Sequence, residues 1–466
     1  MIANNQNKDG LTKVILPGDF LGGSKYAADH EGESVIDVLN CLGFDYATLG
    51  NHEFDYGCVT TSKLMDKSNF PWLGSNVRDT ATGNIFHSTI DTDIFEVPME
   101  NGEIVRVGVF GVCTQATPNL AFPTKAVTFE DVLVHSKRCV AALKQQKCDI
   151  VCAFTHVHLD CDKEIAEIPG LDVIVGGHDH DPYVLVHHGT VIFKCGMNLD
   201  YLGILDLDLT MAKTSLDACG HRKVSIAHSI QLLSSSCAPS DPGIDSIITR
   251  WNEVTAAKNA GVDDARVCVV QDGDSVSTLS SHLRARETAF ACYVADALMY
   301  SYSHDGCDIG LINGGFIRRN VEYAPGTVLH RSDILEELPF QRTPVMISIP
   351  GHALRKGLEE MVANAPHPSG SFPHLSSGFS ATYDLTKPPM ERIVEVCIKG
   401  EPLDRARVYK LAISDFYVRS EGDSVLSFQQ PIIADHETQI KSCVQTYLTL
   451  KGSISGAAPG RFIKVA

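Results

Sequence analysis

Between residues 11 and 212, short apolar runs alternate with stretches of helical period. Lys13–Leu16, Tyr46–Leu49, Ile104–Val112, Asp149–Thr155, Leu171–Val175, Val191–Cys195 and Gly203–Leu209 are brief β-rich runs, which predicts strands. Glu33–Leu42 and Phe129–Gln146 read as helices, the second with apolar residues at 129, 132, 133, 140 and 143. Strands and helices in alternation predict a layered α/β domain.

The pattern changes after residue 212. "SSSCAPSDPG" is turn-rich, and "IDSIITRWNEVTAAKNA" reads as one helix, so 213–262 is expected to be a linker carrying a helix. From about Val267 a second unit of mixed α and β pattern runs to the end. The expected domains are therefore 1–212 and 263–466, and 466 residues is too long for one ordinary core.

Charge and composition narrow the class. A formal charge of −18 argues against a protein that coats a nucleic acid polymer, which needs a broad cationic face. It leaves room for small anions held by a few local arginines. No run approaches ~18 consecutive apolar residues, so no membrane span is expected. The N-terminal "MIANNQNKDGLTKV" lacks the apolar core of a secretory signal, and fifteen cysteines are scattered singly with no CxxC pair. Both lean towards reduced thiols and an intracellular location.

Four motifs then stand out, each where an apolar run ends. They are "VILPGDF" with Asp19, "YATLGNHEFD" with Asn51, His52 and Asp55, "DIVCAFTHVHLD" with His156 and His158, and "LDVIVGGHDHD" with His178, Asp179 and His180. Alone, a Gly-Asp pair is an ordinary turn and His-x-His an ordinary surface pair. Together and in order they are specific, because ligands at the ends of neighbouring strands converge on one edge of a sheet. Imidazoles, an amide oxygen and a carboxylate suit divalent transition metals without distinguishing zinc, manganese, cobalt or iron. A carboxylate can also bridge two ions ~3.5–4 Å apart, the arrangement used for in-line displacement at phosphorus.

"GDF", "GNHEFD", "TH" and "GGHDHDP" resemble successive signatures of the calcineurin-like metallophosphoesterases. With "SHLRARETAFACYVADALM", "LINGGFIRRN" and "ELPFQRTPVMISIPGHAL", the resemblance narrows to the 5'-nucleotidase family, from Lys13 to about Gln430. It implies a four-layer α/β/β/α metallophosphoesterase sandwich followed by a mixed α/β substrate-binding domain, α/β and α+β in class. It implies that Asp19 bridges two divalent ions, that Asn51, His156 and His178 complete the shell of one, and that His180 serves the other. His52 would lie over the phosphate, oriented by Asp55, while Glu53 reads as structural and His158 as a rim residue without a counterpart in the pattern. In the second domain Arg284 and Arg318 match arginines near the substrate, and Asn313 matches an asparagine near the base. Phe340 and Phe416 match the two rings that clamp the base, and Asp423 matches the ribose-binding aspartate.

The implied reaction is hydrolysis of phosphomonoesters, foremost nucleoside 5'-monophosphates. Cyclic nucleotides, nucleotide sugars, small organic phosphates and a non-catalytic nucleotide-binding role are the alternatives. The chain departs from the pattern in several places. Ala291-Cys292 replaces the usual Gly-Asn, and the loop "FYVRSEGDSV" is longer than usual. No Asp-x-His precedes Asp19: Asp9 is followed by Gly10 and Leu11, and the first histidine is His30. Because the other motifs are intact, the expectation is an N-terminally incomplete chain rather than a relative freed from catalysis.

Overall fold

The computed structural model describes residues 11–216, 222–258, 264–273, 275–419 and 426–465. Contacts divide the chain into two units, one of Met1–Gly22 with Asp29–Lys258 and one of Gly23–Ala28 with Asn259–Ala466. Among the described residues, no helix is long and apolar enough to cross a membrane.

Two sheets form the centre of the first unit. The smaller is parallel, with strands Ile15–Leu16, Tyr46–Thr48 and Trp72–Leu73 in that order. The larger has six strands in the order Pro182–His187, Thr190–Cys195, Val173–Gly176, Ile150–His156, Ile104–Cys113 and Thr92–Pro98. Its four inner strands are parallel and its two edges antiparallel.

Side-chain alternation builds the layers. Along Ile104–Cys113, Val105, Val107 and Val109 enter a core shared with Tyr46 and Leu73 of the smaller sheet. Phe110 and Val112 point the other way, into a core with Val140, Leu143 and Ile165 of helices Val132–Gln145 and Leu159–Ala166. Ile150, Cys152 and Phe154 against Val151 and Ala153 repeat the same division. A third core joins the smaller sheet to helices Glu33–Leu42 and Cys58–Lys67 through Ile36, Leu39, Leu64, Met65 and Trp72. The unit is thus a four-layer α/β/β/α sandwich.

Three expectations change. The helix expected from Phe129 starts at Val132, because the Asp131 carboxylate accepts the Val134 N–H at 2.8 Å and caps it. Val127–Phe129 instead pairs with Val77–Asp79. The stretch expected to be a linker contains the strand Arg222–Ser234, which forms a long antiparallel ribbon with Tyr201–Leu216. Only one face of that ribbon is apolar: Leu205, Leu207, Leu209 and Ile226 rest on the inter-sheet core, which leaves a polar face that disguises the strand. The helix Pro242–Lys258 also belongs to the first unit, where Arg250 Nη2 and Trp251 Nε1 both donate to Asp37 Oδ2 at 2.6 and 3.0 Å.

The second unit is built round a five-stranded sheet in the order Pro373–Leu375, Ile309–Asn313, Val408–Ser414, Pro344–Pro350 and Ile432–Asp435. The helix Ala289–Ser301 covers one face, with Phe290, Val294 and Leu298 packed against Ile312, Met346 and Ala412. The other face packs Ile309, Leu311, Val345 and Ile413 on Leu354 and Leu358.

Beneath this core lies a buried acid, Glu337, whose Oε1 accepts from Tyr323 at 2.6 Å and Thr278 at 2.8 Å while Oε2 has no hydrogen-bond partner. Burial, opposed by those two hydrogen bonds, pushes its carboxyl from 4.5 up to about 7. An acid with a raised folded-state pKa gives stability that is complete below its unfolded value and lost as pH climbs through the folded one. Stability is therefore expected to fall by on the order of 3 kcal/mol between pH 4.5 and about 7. Urea midpoints measured across that range should fall for the wild type and stay flatter for Glu337→Gln.

Candidate metal centre

The loops leaving the two strands Ile15–Leu16 and Tyr46–Thr48 are locked together by one carboxylate. Glu53, 1% exposed, accepts four backbone N–H groups: Asp19 at 2.8 Å and Gly50 at 2.6 Å on Oε2, Phe20 at 2.8 Å and Leu21 at 3.1 Å on Oε1. The approach leaves no room for side chains. A Cβ on Gly50 would lie 2.4 Å from Asp19 Oδ1, and Gly18 adopts φ 81° with its would-be Cβ 2.6 Å from His156 Nδ1.

Held this way, Asp19 meets imidazoles from the larger sheet. His156 Nδ1–H donates to the Pro17 carbonyl at 2.7 Å, which fixes the tautomer and turns Nε2 towards Asp19 Oδ2 at 3.0 Å. His178 follows the neighbouring strand Val173–Gly176, and one ligand atom each from Asp19, His156 and His178 lies within 4.8 Å of the others. Burial alone would raise the Asp19 carboxyl, but the charges of His156, His52 and His178 overcome it and hold the acid well below its usual range. Burial depresses His156, yet Asp19 more than offsets it, so the imidazole is raised. Burial and the neighbouring His156 and His158 hold His178 well below its ordinary value. Asp19 Oδ2 and His156 Nε2 are two electron-rich atoms that need positive charge between them.

A divalent cation answers the same need, and the donor set fits one. Asn51 is buried and its Oδ1 has no hydrogen-bond partner, an orphaned acceptor of the kind that a metal satisfies. Next to it, the His52 N–H donates to Asp19 Oδ1 at 2.8 Å, and the His52 Nδ1–Asp55 Oδ2 distance is 2.8 Å. Gly22 lets that carboxylate approach, since a Cβ there would lie 2.1 Å from Asp55 Oδ2.

The structure thus gathers Asp19, Asn51, His52, Asp55, His156 and His178 at the mouths of adjoining loops. His180 is not part of the Asp19–His156–His178 cluster, and among the described residues no other group of three ligand types includes it. The other such group, Glu167 with His187 and His188, is partly exposed at the surface, with Nε2 to Oε1 separations of 3.6 and 3.8 Å. His158 is close to the centre, its Nε2 3.3 Å from His178 Nε2. Lys194 and Asp162, absent from the sequence reading, form a buried ion pair at 2.7 Å behind the histidine loops. The available signal was a lone lysine inside the apolar run "VIFKC".

In the second unit, Asn313 ends its strand and donates from Nδ2 to the Gly370 carbonyl at 2.7 Å, while Gly315 N–H donates to the same carbonyl at 2.8 Å. Arg284 borders Gly370, where a Cβ would lie 3.5 Å from its Nη1. The Arg318 guanidinium lies 5.6 Å from the centre of the Phe340 ring, and Arg342, which the sequence reading passed over, lies 5.2 Å from that of Phe416. Asp423 lies outside the described residues.

The calcineurin-like phosphoesterase family model matches residues 3–182, and the 5'-nucleotidase C-terminal domain model matches residues 267–430. The chain thus joins the two domains of the 5'-nucleotidase family. It is 25% identical to 5'-nucleotidase of Bos taurus over 488 residues, covering 96% of this chain and 81% of that protein. It is also 25% identical to the trifunctional nucleotide phosphoesterase protein YfkN of Bacillus subtilis, covering 90% of this chain but only 30% of that longer protein. Among solved structures, a 5'-nucleotidase precursor from Thermus thermophilus superposes with a TM-score of 0.80 at 21% identity, covering 97% of this chain and 90% of that one. The sulfate thiohydrolase SoxB of the same genus superposes at 0.73 and 17%, covering 97% and 79%, so the fold is shared across different chemistries.

Glu53→Gln tests the clamp. An amide offers one oxygen and turns its NH₂ on two of the four backbone donors, each orphaned donor costing about 1–3 kcal/mol. The expected result is a clearly lowered urea midpoint for the first unit, with little change in far-ultraviolet circular dichroism at low denaturant.

Proposed function

We propose that this protein is a divalent-metal-dependent phosphomonoesterase acting on nucleoside 5'-monophosphates. The observation that carries the reading is the cluster of Asp19, His156 and His178 beside an orphaned Asn51 carbonyl, with the His52–Asp55 pair anchored to the same aspartate. Asp19, Asn51, His156 and His178 would hold the ion. When bound, such an ion supplies positive charge that polarises phosphoryl oxygens.

The remaining work falls to His52. Asp55 takes the Nδ1–H, so a protonated ring presents its Nε2–H as the proton donor. As the bond from water oxygen to phosphorus forms and the bond from phosphorus to the ester oxygen breaks, that proton passes to the departing oxygen. The attacking water keeps one proton on the phosphate and releases the other to solvent, from which His52 is reprotonated, and the products are an alcohol and inorganic phosphate. Because the His52 N–H is tied to Asp19, the imidazole keeps a fixed place relative to the ion-holding carboxylate.

For the substrate, Phe340 and Phe416 in the second unit offer rings to a planar base, a contact worth ~1–3 kcal/mol per base and tolerant of base identity. Arg284 and Arg318 offer guanidinium groups suited to phosphate. Nucleoside 5'-monophosphates combine both partners.

The test is phosphate release from a panel of nucleoside monophosphates, cyclic nucleotides, nucleotide sugars and small organic phosphates, with manganese, zinc, cobalt or iron and a chelator control. Turnover should be fastest on 5'-monophosphates, stop with chelator, and fall about 10²–10⁴-fold in His52→Ala. Equal rates on phosphates lacking a base would sink the nucleotide assignment, and chelator-resistant turnover would sink the metal requirement.

A further inference from the structure

Lys194 lies in the strand Thr190–Cys195 and is 1% exposed. Its ammonium donates to three oxygens: the Val157 carbonyl at 2.6 Å, the Gly177 carbonyl at 2.8 Å and Asp179 Oδ2 at 2.5 Å. Asp162 Oδ2 stands 2.7 Å away as a second counter-charge, and Asp162 Oδ1 accepts from Thr155 Oγ1 at 2.6 Å. Thr155 and Val157 flank His156, and Gly177 and Asp179 flank His178. Every partner of this lysine is therefore adjacent to an imidazole of the candidate centre, or bonded to a residue that is.

Stability does not explain such a residue. Burying an ammonium costs several kcal/mol, and buried ion pairs can often be exchanged for apolar side chains at no loss. Thr190–Cys195 is otherwise an apolar strand that a methionine would suit. What an apolar side chain cannot do is hold at one point two carbonyls that lie just past the ends of neighbouring strands.

The network also reaches outward. The other oxygen of Asp179 lies 3.3 Å from His158 Nδ1, and His158 Nε2 lies 3.3 Å from His178 Nε2. With Nδ1–H given to Asp179, His158 presents a lone pair at Nε2. Two nitrogen donors that are neighbours in a four- or five-coordinate shell, each at about 2.0–2.1 Å from the ion, stand about 2.9–3.6 Å apart. The spacing of these two nitrogens is that of neighbouring ligands.

We propose that Lys194 is a positioning residue of the metal centre, fixing the loops of His156 and His178 and, through Asp179, turning His158 into a further imidazole of that centre. This rests on the metal-dependent reading above. It gives His158 a task that neither the sequence pattern nor the family comparison assigns.

The test uses the full chain stripped with chelator and titrated with cobalt(II), reading affinity by equilibrium dialysis and ligand field by visible absorption. Three variants are compared with wild type: Lys194→Met/Asp162→Asn, which removes both buried charges together, Asp179→Asn, and His158→Ala. Outer-shell substitutions of this kind are expected to lower cobalt affinity by about 10–100-fold. His158→Ala is expected to change the visible spectrum as well, because a nitrogen donor is lost. Melting temperature is followed in parallel, since a merely structural lysine would lower it and leave the spectrum of the folded variant unchanged.

Wild-type affinity and spectrum in a folded double variant would overturn the proposal. Should the double variant not fold, the same result in Asp179→Asn would overturn it. An unchanged spectrum in His158→Ala would overturn the ligand role of His158. Cobalt binding by wild type without release of phosphate from nucleotides would count against the function proposed above, while the affinity ratios would still decide the role of Lys194.

Discussion

The centre depends on a single buried carboxylate acting on backbone, not on ligands. Glu53 draws four N–H groups from two loops onto its two oxygens and thereby sets where Asp19, Asn51 and His52 start. A charged acceptor inside a protein is tolerable only when its lone pairs are met, and here they are met by donors that would otherwise be orphaned as the chain leaves each strand. The exchange suits both sides. The loops gain one conformation, and the anion gains solvation from fixed dipoles in place of water.

The second constraint is the packing between the sheets. Asp19, Asn51 and His52 ride on the smaller sheet, His156 and His178 on the larger, and the two meet across the core of Tyr46, Leu73, Val109, Ile150 and Phe154. The Pro17 carbonyl accepting from His156 is one polar bond across that seam, and the Asp19–His156 approach is another. Ligand spacing is therefore a product of hydrophobic packing several residues away, which is why strands with no chemistry of their own belong to any account of the site.

Much of this was legible in the sequence because it followed from local rules. Apolar runs ending in a ligand type, three of them after a glycine, marked four loops, and the helix Glu33–Leu42 was read with its observed bounds. The features that escaped were those whose meaning lies across the fold. Lys194 looks like an interruption of a strand until Val157, Gly177, Asp162 and Asp179 are seen around it. Arg222–Ser234 was hidden because only one of its faces is apolar, and the edge strands Thr92–Pro98 and Pro182–His187 were passed over, their residues being largely half-buried or exposed. Glu53 was read as structural, but its four-donor grip appears only when both loops are in place.

The glycines around the centre carry a different lesson. Gly18, Gly50 and Gly177 have no side chain to offer an ion or a substrate, yet an added methyl would fall 2.6 Å from His156 Nδ1, 2.4 Å from Asp19 Oδ1 and 2.3 Å from the Pro17 carbonyl respectively. In a saturation library selected for turnover, these three positions would score as intolerant as the ligands. A map drawn from mutational intolerance alone would enrol them as reactive groups, when what a side chain there would spoil is the volume they leave empty.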